Sequence, residues 1–327
     1  MMRFMRCIVL ALGLLGVGTA AAQDAPLRVV ATTTIVADVA QHIGGDLVTV
    51  TALVPADSDA HAFEPSPQDV QGVADADLVL AVGAGYESFL GGLMENAASV
   101  PLVAVNTGVT MYAFSDGHAD DPHANEPLGV LGETGVCEAA PVAADDHAHE
   151  SCDPHTWTDP RNVMVWADTI AAALAAADPD HADTYTANAE TYKTQLQTAF
   201  DEMTETLAVI PPERRLLVTN HEFMSYFARA FDFEMAGVVI PGGTTGGEND
   251  PQAVAGLIDH IRALGVTVVF AEASASTQVI QTLAQDAGVT VVTTLSESLT
   301  APDGIAPTYL DYLRVNAQTL ADALTPQ

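Results

Sequence analysis

Basic side chains are scarce. The chain has 327 residues but only ten lysines and arginines, and Lys193 is its single lysine. Against 43 aspartates and glutamates this leaves a formal charge of −33. A surface so acidic repels phosphate backbones and anionic lipid headgroups, which excludes nucleic acid and membrane surfaces as partners. It favours solubility and attracts cations in general, though adaptation to a salty medium would produce the same composition. Cysteine is also scarce, with three residues. Long apolar runs are missing beyond the first residues, so no later segment offers the roughly 20 apolar residues that a membrane helix needs. There is no His-Glu-x-x-His motif or nucleophile elbow. The glycines at Gly242, Gly243, Gly246 and Gly247 lack the lysine and spacing of a phosphate loop. These absences argue against a hydrolase.

The apolar run that is present opens the chain. Arg3 and Arg6 precede an apolar stretch from Cys7 to Val17, followed by Ala20-Ala21-Ala22 before Gln23. Such a pattern is a secretory signal peptide, with residues 1–22 removed on export to the periplasm. The mature chain then carries 8 basic and 43 acidic side chains, a charge of −35. Cys137 and Cys152 are its two cysteines, and in an oxidising compartment the simplest expectation is one disulfide between them.

About 305 mature residues exceed what one hydrophobic core usually organises, so two lobes are expected. Short β-branched runs at 28–34, Leu47–Val54, Leu78–Val82 and Leu102–Val105 alternate with helical patterns, one starting at Ser66-Pro67. The rhythm resumes after Pro212 with strands at Leu216–Thr219, Met235–Ile240, Val266–Ala271 and Val289–Thr294. This βα alternation predicts an α/β fold with mainly parallel sheets. One long helical pattern from about His181, closed by Pro211-Pro212, joins the halves. The expected organisation is an N-terminal lobe over 23–178, a rigid linking helix over 179–210 and a C-terminal lobe over 211–327. Between 108 and 153 the periodicity fails, and a long acidic loop is expected. No residue-level internal repeat is evident.

Four residues stand out by their position beside strand ends. His61 follows the strand ending at Val54, His221 follows Leu216–Thr219, Glu297 follows Val289–Thr294, and His155 closes the long loop. Ligands of open parallel sheets gather outside the carboxyl ends of the strands, so these four could meet in one crevice between the lobes. Three imidazoles and a carboxylate would complete a tetrahedral shell for Zn²⁺, whereas Mn²⁺ and Mg²⁺ prefer oxygen-rich shells. Glu272 and Asp303 are competing carboxylates, each placed near a strand end. Glu64 and Glu222 could support neighbouring histidines or simply face water, and Trp157 and Trp166 are expected to pack between the lobes. Five of ten histidines fall between 118 and 155, where an even spread would place about one. His118, His123, His147 and His149 among dense acids suggest labile metal capture near the main site.

Four segments carry a resemblance: His61-Ala-Phe-Glu-Pro-Ser-Pro-Gln-Asp69, Asp153-Pro-His155-Thr-Trp-Thr-Asp-Pro160, Thr219-Asn-His221-Glu-Phe-Met-Ser-Tyr-Phe227 and Thr308-Tyr-Leu-Asp-Tyr-Leu-Arg-Val-Asn316. In these, and along nearly all of the mature chain, the sequence resembles the solute-binding proteins of zinc and manganese ABC importers. The resemblance implies two α/β lobes, a long rigid linking helix and a buried metal between the lobes. It places the first three ligand positions on His61, His155 and His221. Histidine at the third, where some manganese-binding members carry glutamate, leans the expectation toward zinc. The fourth position, commonly aspartate, falls on Glu297. The resemblance also implies a metal-capturing loop at 108–153, no enzymatic activity, and a membrane permease as partner of a monomeric receptor. A manganese receptor, an exported metal buffer or an adhesin of the same fold are the alternatives.

Overall fold

The computed structural model describes residues 25–114, 127–133, 135, 152–240, 245, 251–273, 278–295 and 297–326. The leader 1–22, Cys137, the four loop histidines and Gly242, Gly243, Gly246 and Gly247 lie outside the described residues. Among the described residues no helix is long and apolar enough to cross a membrane.

The first lobe is built on four parallel strands, β1 (Leu27–Ala31), β2 (Val48–Ala52), β3 (Leu78–Ala81) and β4 (Leu102–Ala104), in the order β2-β1-β3-β4. All four residues of β3 are buried, as a strand covered on both faces requires. Helix α1 (Thr34–Gly44) starts where the Thr33 hydroxyl accepts the Val36 N–H, and stops at Gly45, whose φ of 56° suits a residue without Cβ. The expected start of α2 (Pro67–Ala74) is present as a capping box between Ser66 and Asp69, with Pro67 in the first turn. A short helix α3 (Leu90–Glu95) follows β3.

The segment 108–153 is not wholly without regular structure. Strands β5 (Thr110–Tyr112) and β6 (Pro127–Val130) pair antiparallel, and Ala113 bridges Cys152. Pro127 and Gly129, the latter at φ 134°, mask this strand pattern in the sequence. Helix α4 (Pro160–Ala177) leads through a tight turn at Pro179–His181 into α5 (Ala182–Leu207). This helix is shorter than the expected 179–210. Proline 179 opens the preceding turn, and the residues before Pro211 leave the helix, as a following proline favours. Its 26 residues reach about 39 Å. Tyr185, Ala189, Tyr192, Leu196, Ala199, Met203 and Leu207 form its buried stripe, which packs on α1 and α4 on one side and on the C-terminal helix on the other.

The second lobe repeats the plan. Strands β7 (Leu216–Thr219), β8 (Glu234–Val238), β9 (Val268–Glu272) and β10 (Thr290–Thr294) are parallel in the order β10-β9-β7-β8. With strands counted in chain order within each lobe, both sheets read 2-1-3-4. The repeat is one of topology, which explains why residue comparison does not reveal it. Helix α6 (Ser225–Phe231) begins only at Ser225, because Asn220–Met224 are spent on a buried turn. Helices α7 (Pro251–Leu264), α8 (Gln278–Ala287) and α9 (Tyr309–Leu324) complete the lobe, and Thr308 caps α9.

Candidate metal centre

In a 2-1-3-4 parallel sheet the first connections run to opposite sides, leaving a crevice at the carboxyl ends of the first and third strands. The two lobes turn these crevices toward each other, and four loops enter the space between them.

His61 arrives on the loop after β2. Asp57 holds a left-handed backbone, φ 58°, fixed from the other lobe: its N–H donates to the Leu299 carbonyl (3.1 Å) and its carboxylate accepts the Ala301 N–H (3.0 Å). Asp59 Oδ1 then accepts the His61 N–H at 2.9 Å. His155 stands just before a single turn of 3₁₀ helix, Thr156–Thr158. Buried Asn106 organises this turn, donating to the Pro154 carbonyl (3.3 Å) and accepting from the Thr156 hydroxyl (2.5 Å) and the Trp166 indole (2.7 Å). His221 follows β7, and its ring stacks on Phe223 with centroids 5.2 Å apart. Glu297 follows β10, and its Oε2 accepts the Ala60 N–H at 3.3 Å, which ties the β2 loop to the β10 loop.

These four side chains converge. His61, His155, His221 and Glu297 each offer one ligand atom within 4.8 Å of all the others. Glu297 Oε1 lies 2.6 Å from His61 Nε2, 3.5 Å from His155 Nε2 and 3.4 Å from His221 Nε2. His155 and His221 are fully buried and Glu297 is 1% exposed, while the His61 side chain keeps 8% exposure. The three Nε2 atoms and Oε1 are buried without a well-aligned hydrogen bond among them. Four unsatisfied donor atoms aimed at one point are costly unless something cationic neutralises and organises them.

Two carboxylates stand behind the cluster. Asp153 Oδ1 takes the Nδ1 of His155 at 2.7 Å and its backbone N–H at 2.9 Å. Glu272 Oε2 sits 2.5 Å from His221 Nδ1 and is itself held by Asn220 Nδ2 at 2.5 Å. A carboxylate on Nδ1 fixes the tautomer that leaves the Nε2 lone pair facing the cluster. Burial by itself would lower the pKa of His155, but Asp153 and Glu297 outweigh it and raise it. Burial opposes charge on His221 as well, yet Glu272 and Glu297 push it up to about 10. Burial would raise Glu297, but the contacts of His155, His221 and His61 hold its carboxyl well below the usual range.

Of the competing carboxylates, Glu272 is turned to His221 Nδ1 rather than to the cluster, and Asp303 is exposed on its loop. Glu64 is exposed, whereas Glu222 is buried and accepts the Ser225 hydroxyl at 3.0 Å. Trp157 is buried against His155 and Tyr86 with ring centroids 5.2 Å away from each, so it packs beside the cluster, and Trp166 lies beneath it. Cys152 is buried, and Cys137 lies outside the described residues. Sequence reasoning missed Asp153 and Asp59 as supports. Both stand two residues before a cluster histidine, a spacing that lets a short carboxylate reach back to the backbone N–H. It also missed Tyr86, whose ring meets His61 edge-on at 5.1 Å.

The family described as "ZnuA: Zinc-uptake complex component A periplasmic" matches residues 29–323. The chain belongs to this family. It is therefore a metal-binding component of an ABC importer, working with a membrane permease, and not an enzyme. Among its relatives is the manganese-binding lipoprotein MntA of Halalkalibacterium halodurans, 28% identical over 91% of this chain and 89% of that protein. The iron-binding protein YfeA of Yersinia pestis is also 28% identical, over 90% of this chain and 85% of its own. A cadmium-bound periplasmic metal-binding protein from Candidatus Liberibacter asiaticus superposes with a TM-score of 0.72 at 26% identity, covering 91% of this chain and 99% of that one. The periplasmic zinc-binding protein TroA of Treponema pallidum, 22% identical, shares the fold with a TM-score of 0.76 over 92% of this chain and all of its own.

Proposed function

We propose that this family member is a periplasmic receptor for Zn²⁺, holding the ion between its lobes through His61 Nε2, His155 Nε2, His221 Nε2 and a Glu297 oxygen, and passing it to an importer permease. The observation that carries this reading is the donor set. Zn–N and Zn–O bonds of about 2.0–2.2 Å arranged as a tetrahedron put neighbouring donors about 3.4 Å apart. The separations of Oε1 from His155 and His221, 3.5 and 3.4 Å, match that edge. Oε1 is closer to His61, at 2.6 Å, and a bound ion would draw these two donors apart. Three nitrogens favour Zn²⁺ over Mn²⁺ both by ligand type and by the general affinity order of divalent ions.

His61 is the one cluster side chain with appreciable exposure, so the ion would enter and leave on its side. Manganese is the second reading, favoured by the relative whose name records manganese binding. It would need Glu297 to bind through both oxygens, at the expense of the Ala60 N–H bond to Oε2. Export with cleavage near Ala22, a Cys137–Cys152 disulfide, and metal capture by His118, His123, His147 and His149 belong to the same proposal. Metal analysis of protein purified from the periplasm, followed by absorption spectroscopy at the zinc K edge, tests it. Stoichiometric zinc with about four light donors near 2.0–2.1 Å and imidazole scattering is expected. Stoichiometric manganese, or a zinc shell without imidazole, would overturn it.

A further inference from the structure

Tyr226 joins two of the cluster histidines from opposite lobes. It lies on α6, five residues after His221, and is 3% exposed. Its hydroxyl donates to the Asp153 carbonyl at 2.9 Å and accepts the Tyr112 N–H at 3.2 Å. The two backbone groups it bridges are not arbitrary. Ala113 and Cys152 form an antiparallel bridge, and the Asp153 N–H donates to the Tyr112 carbonyl at 2.8 Å. In a continued ladder the Tyr112 N–H would pair directly with the Asp153 carbonyl. Instead the phenol is inserted between them, beside the end of β5 and two residues before His155. Arg229, one helical turn further along α6, stacks its guanidinium on the Tyr112 ring at 4.1 Å and fixes the same contact from the side.

We propose that Tyr226 is a positioning residue for the metal cluster, one that sets the location of His155 relative to His221. The path is short and continuous: the His221 turn leads into α6, the Tyr226 hydroxyl holds the Asp153 backbone, and the Asp153 carboxylate holds His155 through Nδ1 and N–H. No other residue of the second lobe donates a hydrogen bond to Asp153 among the described residues. Tyr226→Phe keeps the ring and removes only the bridge. Two backbone groups lose their partner, and Asp153, fully buried, can regain one only by shifting. A shift there moves His155 without touching a ligand. Losses of about 10–100-fold in metal affinity are typical when the groups that orient ligands are removed. The weakening should appear mainly as faster release.

This inference rests on the zinc-site reading above, and the experiment separates the two. Zn²⁺ affinity and release rate are measured by competition with a chromophoric chelator for the wild type, Tyr226→Phe, Asp153→Asn, the double variant and His155→Ala. The Co²⁺ electronic spectrum reports ligand geometry. Tyr192→Phe, which removes an equally buried phenol from α5, controls for general destabilisation. The proposal expects Tyr226→Phe to bind Zn²⁺ about tenfold more weakly with a changed Co²⁺ spectrum, Tyr192→Phe to match the wild type in both, and Asp153→Asn and Tyr226→Phe to be non-additive. If His155→Ala retains tight binding, the site reading itself fails. If His155→Ala destroys binding but Tyr226→Phe leaves affinity and spectrum unchanged, the site stands and the positioning role of Tyr226 is refuted.

Discussion

Replacing Glu272 by glutamine separates a supporting carboxylate from a ligand, and the structure gives both the sign and the scale. Glu272 is fully buried, 2.5 Å from His221 Nδ1, and turned away from the point where the four donors meet. A glutamine there can present its NH₂ to Nδ1, which favours the tautomer with a proton on Nε2, the atom needed for metal. The cost in intrinsic affinity should be about 10–100-fold, or about 1.4–2.7 kcal/mol. A second, opposite effect accompanies it. His221 is pushed up to about 10 by Glu272 and Glu297 against the effect of burial, so near neutral pH the metal-free protein carries a proton there that zinc must displace. Below that value, apparent affinity falls with pH because zinc must displace this proton, by about tenfold per unit for a single proton. Removing the carboxylate lowers this pKa and flattens the dependence. Competition titration between pH 7 and 9 should therefore give a wild-type affinity rising about tenfold per unit. The variant should be weaker at pH 9 and closer to the wild type at pH 7. Parallel pH slopes for the two proteins, or equal affinities at pH 9, would refute the assignment of Glu272 to His221.

The metal-free protein should show a related stability profile. His155 and His221 are raised, so their contribution is complete below the unfolded value of about 6.5 and is lost as pH rises through their folded values, about 10 for His221. Glu297 is depressed, so its contribution is present above about 4.5 and is lost as pH falls. Tm in the presence of a chelator should thus be highest at about pH 5–6.5, and a Tm that climbs steadily to pH 9 would contradict the site electrostatics. Deleting Asp116–Glu150 should leave one tight zinc site and remove only weaker equivalents, read by isothermal calorimetry; loss of the tight site would move it into the loop. Intact mass of exported protein should begin near Gln23 with no alkylatable thiol. Reduction should cost on the order of 3 kcal/mol for a loop of about 16 residues. Two freely alkylated cysteines would exclude the disulfide.

The parallel α/β architecture is legible because β-branched runs, helix caps and proline stops agree locally at most elements. Ser66-Pro67-Gln68-Asp69, for example, spells out a helix start that the structure repeats as a capping box. The β5–β6 pair is not legible, since Pro127 and Gly129 break strand alternation and the pairing partner lies many residues away. The histidine positions are conspicuous because His61 and His221 follow strands and His155 closes the long loop. The difference between Glu297 and Glu272 is invisible at that level. Glu272 ends one strand and Glu297 closely follows the next, and only the direction of the side chain, toward Nδ1 or toward Nε2, distinguishes them. Tyr226 reads as one more aromatic of a helix, because what it bridges is backbone, which carries no sequence signature.

On the proposed function, three imidazoles and one glutamate carboxylate make a zinc-selective site between the lobes. Competition titration of exported protein with Zn²⁺ and Mn²⁺, repeated on His61→Ala, His155→Ala, His221→Ala, Glu297→Ala and Asp303→Ala, tests it most directly. One tight Zn²⁺ per chain, displaced by Mn²⁺ only in large excess, is expected. Each histidine variant should be severely weakened, Glu297→Ala less so because water can replace an oxygen donor, and Asp303→Ala unchanged. A wild-type preference for Mn²⁺, or a Glu297→Ala protein with unaltered zinc affinity, would contradict it.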